Sequence, residues 1–130
     1  MIRGIQSADL DQHLPRLIWA FESFAGRSHS RWSVDDIVDE ARAGSVQVWI
    51  CGDYQAVALT RVWPDAVSIV ACAGSDRGDW CGALEAEIRA WARHLGKKHL
   101  LIDGRPGWSR WLKTLGYQEA HREMVIDLDG

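Results

Sequence analysis

The amino-acid sequence predicts a mixed α/β fold: a mostly antiparallel sheet with helices on both faces, in the order β-α-α-β-β-β-α-β-α-β. Three observations carry this reading. Between Val46 and Cys72 three apolar strand patterns succeed one another with only short turn signals between them, the pattern of an antiparallel meander. Leu84, Ile88, Trp91 and Leu95 then recur at helical spacing before Gly96, and a long helix between two strands makes a crossover. Two further helical patterns precede the meander, so the sheet has helices for both of its faces.

Residues 2–6 fit a short first strand. Ser7 is placed to cap a helix carrying the stripe Leu10, Leu14, Leu17, Ile18, Phe21 and Phe24. Pro15 falls inside that stripe and predicts either a kink or a helix start nearer His13. The stretch from Ala25 to Trp32 is small, polar and basic, and reads as an exposed loop. Ser33 and Asp36 have capping-box spacing for a second helix that buries Val34, Ile37, Val38 and Ala41 and stops at Gly44. Val46–Cys51 ends at Gly52-Asp53, Ala56–Trp63 ends at Pro64-Asp65, and Val67–Cys72 runs to Gly74. After a polar loop come the long helix, the short strand His99–Ile102 and a stretch from Gly104 to Tyr117. A last strand is expected over Glu119–Leu128.

With 130 residues the chain has room for one domain, spanning 1–130. No apolar run approaches a membrane span, and Met1 to Gln6 lack the organisation of a signal peptide. Cys51, Cys72 and Cys81 are odd in number and form no CxxC pair, which argues against a disulfide framework and suits a reducing cytoplasm. Five scattered histidines without ligand spacing predict no metal site. A net charge of −3 implies no general affinity for nucleic acid or anionic membrane. Eight tryptophans indicate core and interface material.

The stretch from Gly104 to Tyr117 stands out. It holds Gly104, Pro106 and Gly107 before a short helix, Arg105, Arg110 and Lys113 beside Trp108 and Trp111, and Leu115-Gly116-Tyr117 as the stop.

These residues resemble the GNAT superfamily of acyl-CoA-dependent N-acyltransferases. Leu84, Ile88, Trp91-Ala92-Arg93 and Leu95-Gly96 match the family's central helix and its ending. Leu100–Asp103 match the strand after that helix, and Leu115-Gly116-Tyr117 match the stop of the short helix beyond it. More narrowly, Trp80 and Gly104–Leu112 resemble the small GNAT-like proteins of tailed phages and prophages. The resemblance implies acetyl-CoA or another acyl-CoA as cofactor. It implies a cofactor site at Cys72, Arg77, Gly78, Trp80, Gly82 and Arg105.

The chain departs from the family pattern twice. The family's pyrophosphate loop falls on Asp76-Arg77-Gly78-Asp79-Trp80-Cys81, so acidic residues stand where an arginine and a glycine are expected. Either Asp79 is a helix N-cap and no phosphate binds, or a one-residue slip brings Arg77 and Gly82 into use. The family's tyrosine acid corresponds to Leu112, which has no proton to give; Tyr117 reads as core packing, and Tyr54, in a turn, has no assigned role. For a general base the candidates are Glu22, His29 and Asp103, each with the plainer reading of solvated surface. Cys72 reads as a nucleophile or, more ordinarily, as a small buried hydrophobe. Arg105 serves either an anionic ligand or an ion pair with Asp103 or Asp79.

These features leave three functional readings. The chain transfers an acyl group to a small-molecule or protein amine; or it is a catalytically silent binding or virion-associated module with a protein partner or a second copy; or it binds a small molecule in the same cleft. The expected location is the cytoplasm of a bacterial host, or the virion for the second reading, away from membranes.

Overall fold

A computed structural model of the chain describes residues 1–26, 31–74, 79–102 and 109–118, with Ile126 and Leu128; the side chains of Asp79 and Ser109 lie outside that description. In chain order the elements are β1 (Ile2–Ile5), a 3₁₀ turn (Ser7–Asp9), α1 (Leu10–Ala25), α2 (Val34–Ala43) and β2 (Gln47–Cys51). Next come β3 (Ala56–Val62), β4 (Ala66–Gly74), α3 (Asp79–His94), β5 (His99–Ile102) and α4 (Ser109–Thr114). Of the last predicted strand only Ile126 and Leu128 are described, both exposed and neither in a strand; the remainder lies outside the described residues.

The sheet has the order β1-β2-β3-β4-β5. Its first three pairings are antiparallel, and β4 pairs with β5 in parallel. The predicted class is therefore the observed one. Two cores lie on opposite faces. On one, Leu17, Phe21 and Phe24 of α1 and Ile37 and Ala41 of α2 meet Val48, Ile50, Val57 and Leu59. On the other, Leu84, Ile88 and Ala92 of α3 meet Trp49, Ala58, Ile69 and Cys72. Period-2 alternation along β2 and β3 sends Val48 and Ile50 to one core and Trp49 to the other.

Local signals account for the ends of the helices. Ser33 and Asp36 exchange both capping-box hydrogen bonds, each 3.0 Å. Gly44, Gly96 and Gly116 have left-handed φ of 78°, 75° and 96° just past their helices, a conformation that favours glycine. Ser7 departs from expectation. The Leu10 N–H bonds to its carbonyl, making a tight turn before α1, and no side chain caps that helix. α1 then runs through Pro15 without starting nearer His13. The Asp11 carbonyl that Pro15 leaves without a donor is on the exposed side of the helix, where water can serve it. Val34 is only partly buried, and Leu95 stands 41% exposed beyond the end of α3.

Candidate active site

The site starts from an irregularity in β4. The β3–β4 register pairs Leu59 with Ala71 but Thr60 with Ile69, leaving Val70 as the extra residue of a β-bulge. Its effect shows in the packing. Ile69 and Cys72 face the α3 core, whereas Val70, Ala71 and Ala73 all face α1 and α2. Two consecutive side chains thus share one face. On its other side β4 pairs with β5 as far as Ile69 opposite Ile102, the last described residue of that strand. From Val70 to Gly74, β4 continues with no partner on its β5 side among the described residues.

At the far end of that segment β4 meets the first turn of α3. Trp80 packs against the α3-face core that contains Cys72. The benzo ring of Trp80 fills the space that a Cβ on Gly74 would need, so only glycine fits there without a shift. Cys72 is 7% exposed and belongs to that core, as a small hydrophobe would. Gly82, in the same first turn, is exposed, and nothing lies within 4 Å of where its Cβ would be. Its bare backbone faces open space. The first turn of any helix also offers N–H groups without intrahelical acceptors. An open backbone with such donors fits a phosphate group, whereas the acidic Asp76 and Asp79 of the preceding sequence do not.

Of the other predicted residues, Glu22 is exposed on α1, and its backbone carbonyl accepts the Gly26 N–H. His29, Asp76, Arg77, Gly78, Asp103, Arg105 and Trp108 lie outside the described residues. Trp111 is partly buried, and Leu112 is 8% exposed. Tyr54 has a role after all. With φ of 60° it holds the β2–β3 turn in a left-handed bend, and its hydroxyl shares a 2.6 Å hydrogen bond with His13 Nδ1 of α1. The Arg16 guanidinium lies 4.3 Å from the Tyr54 ring centroid and pairs with Asp53 at 2.9 Å. These contacts tie the hairpin to α1.

Tyr117, expected as core packing, does more than pack. It is half-buried, and its hydroxyl donates to Glu85 Oε2 at 2.6 Å. The same oxygen accepts Arg89 Nε at 2.8 Å, and Glu85 is only 7% exposed. Burial first, and the Glu85 carboxylate second, push the Tyr117 hydroxyl well above its ordinary range. The cluster joins α3 to the turn after α4. Glu85 and Arg89 have the i,i+4 spacing of a helical ion pair, but Tyr117 lies 32 positions from Glu85 and no spacing rule would have joined it to them.

Among the described residues no group of three or more His, Cys, Asp or Glu is arranged to hold a metal ion. No described helix is long and apolar enough to cross a membrane.

No protein-family model and no curated protein sequence matches the chain. Solved structures do. A ribosomal-protein-alanine N-acetyltransferase from Brucella melitensis biovar Abortus 2308 superposes with a TM-score of 0.68 at 14% identity, covering 98% of this chain and 99% of the other. An aminoglycoside N-acetyltransferase in complex with coenzyme A gives 0.68 at 15% identity, covering 98% and 93%. An acetyltransferase from Trypanosoma brucei gives 0.64 at 18% identity, covering 98% and 99%. At such identities the likeness is one of fold. The chain has the fold of the GNAT acetyltransferases.

Proposed function

We propose that the chain is an acyl-CoA-dependent N-acyltransferase acting on a primary amine, with acetyl-CoA as the first donor to try. One observation supports this above the others: the β-bulge at Val70 lies on the strand that leads to the first turn of α3. A bulge leaves one residue out of the ladder in the middle of a sheet, here on the strand that leads to a helix start open to anions.

Bound acyl-CoA would supply the reactive thioester. The chain's own contribution is to bind and orient. The first turn of α3 at Gly82 receives phosphate; Arg77, Gly78 and Arg105 are the further residues proposed for it. Trp80 and Cys72 form the apolar wall between that turn and the bulge. Backbone N–H groups at the bulge are the donors available to charge developing on a carbonyl oxygen. Alignment of the two substrates lowers the barrier further. In the reaction the acyl–sulfur bond would break as an acyl–nitrogen bond forms, CoA would leave as its thiolate and take a proton from solvent, and the amine proton would leave to solvent or a base; Glu22, His29 and Asp103 are the candidates for that base. Leu112, buried and unable to donate a proton, favours the second reading, a catalytically silent domain that keeps only the binding surface.

Titration with acetyl-CoA and CoA, followed by melting temperature and tryptophan fluorescence, tests the proposal. A ligand that binds only the folded state raises its stability, and Trp80 is placed to report it. No shift at millimolar ligand overturns the proposal. Arg77→Ala and Arg105→Ala then show which arginine holds phosphate, and binding unchanged in both overturns that assignment alone.

A further inference from the structure

The sheet face beneath α1 and α2 changes character beside the bulge. Across Val48, Val57, Leu59, Ala71 and Ala73 it is apolar and buried. One alternation further along the strands it becomes Arg61 opposite Ser68. Arg61 is held in place. Its Nη1 donates to Glu40 Oε1 at 3.0 Å, and its guanidinium carbon lies 5.6 Å from the Trp32 ring centroid. Its Nε and Nη2 make no hydrogen bond among the described residues. Trp63, two residues along the same face, donates its indole N–H to the buried Ser68 Oγ at 2.8 Å, yet the residue stays 46% exposed. Leu101 of β5, opposite Ser68, is 38% exposed.

This is a prepared surface. A tryptophan whose only polar atom is satisfied inward presents a fixed apolar ring outward. A guanidinium fixed along one edge by a carboxylate, and lying over an indole, keeps the rest of its planar fork oriented, the geometry that matches a second carboxylate. Ser68 and Val70 are two residues apart, about 7 Å along a strand. A small acceptor with its nitrogen at the bulge therefore has its other groups over Arg61 and Trp63. A polycationic amine fits this face poorly, because Glu40 is already paired with the Arg61 cation.

We infer that the α1/α2 face at Arg61, Trp63, Ser68 and Leu101 selects an acceptor carrying both a carboxylate and an aromatic or branched apolar body, that is, a hydrophobic α-amino acid. Arg61 holds the carboxylate, and Trp63 and Leu101 take the side chain. The inference rests on the acyltransferase reading for the acceptor's role, but not for its binding.

Calorimetry with the full chain, with and without CoA, tests it using L-phenylalanine, phenethylamine and spermidine. Phenethylamine has the same ring and amine without the carboxylate. Phenylalanine is expected to bind at least about tenfold more tightly than phenethylamine, a difference of about 1.4 kcal/mol, and spermidine not to saturate. In Arg61→Gln, checked for folding by circular dichroism, that preference disappears; Trp63→Ala weakens both aromatic ligands. Equal binding of the two aromatic ligands, no phenylalanine binding, or a preference that survives in folded Arg61→Gln overturns the inference. Should Arg61→Gln not fold, the ligand comparison on the unmodified chain decides by itself. Phenylalanine binding without any acetyl-CoA response sinks acyl transfer and upholds this site. An acetyl-CoA response without the phenylalanine preference sinks this site alone.

Discussion

Trp80 occupies the volume that any side chain at Gly74 would require. This contact joins the end of β4 to the first turn of α3, and the proposed cofactor surface depends on it. Gly74→Ala forces either Trp80 or the backbone to move, at a cost of about 1–3 kcal/mol. A lowered melting temperature, a changed tryptophan emission and a weaker acetyl-CoA response are expected together. An unchanged melting temperature would show that the indole is not fixed there.

Gly82→Ala should separate stability from binding. A helical glycine with open space at its Cβ position gains about 0.5–1 kcal/mol when replaced by alanine. The added methyl group projects into the surface proposed for phosphate, so the acetyl-CoA response should weaken while the melting temperature rises. A response as strong as the parent's would remove Gly82 from the site.

A buried polar chain crosses the α3 face of the sheet. Trp49 Nε1 donates to Thr60 Oγ1 at 3.0 Å, and Thr60 donates to Gln47 Oε1 at 2.9 Å. Thr60→Val keeps the shape but strands the Trp49 donor, an expected loss of about 1–3 kcal/mol in denaturant unfolding. Thr60→Ser should recover most of it. A loss below about 0.5 kcal/mol would mean that water replaces the hydroxyl.

Tyr117 gives the fold an alkaline limit. Its hydroxyl titrates higher in the folded chain than in the unfolded one, so between those two values the folded state holds the extra proton. The stabilisation is complete below about pH 10, the unfolded tyrosine value, and is lost progressively as pH rises above it. Unfolding free energy measured from pH 8 upward should fall faster in the parent than in Tyr117→Phe. Parallel curves would show that Tyr117 is neither buried nor held by Glu85 in solution.

Most of the fold was legible because its punctuation is local. The capping box at Ser33 and Asp36 and the glycines at 44, 96 and 116 each act within one turn of chain, and the strand patterns between them needed only alternation. The bulge was not legible. Val70 is one more apolar residue in the run Val67–Cys72, and only pairing with β3 shows that it is the extra one. The same holds for Arg61 and Ser68, whose meeting depends on register, and for Tyr117 and Glu85, 32 positions apart. Pro15 did not delay the start of α1, because an exposed carbonyl tolerates the loss of its donor. Of the residues that resemblance proposes for a cofactor, Cys72 and Trp80 share one core, and Gly82 lies in the same helical turn as Trp80.

The extra residue in β4 also makes architecture and bulge separable at the level of the gene. Without Val70, Ser68, Ile69, Ala71 and Cys72 would alternate as in an ordinary strand, and every flanking side chain would keep the core it already occupies. An in-frame deletion of that one codon is thus the change the hydrophobic interior is best prepared to absorb. A single triplet divides a plain strand from a bulged one.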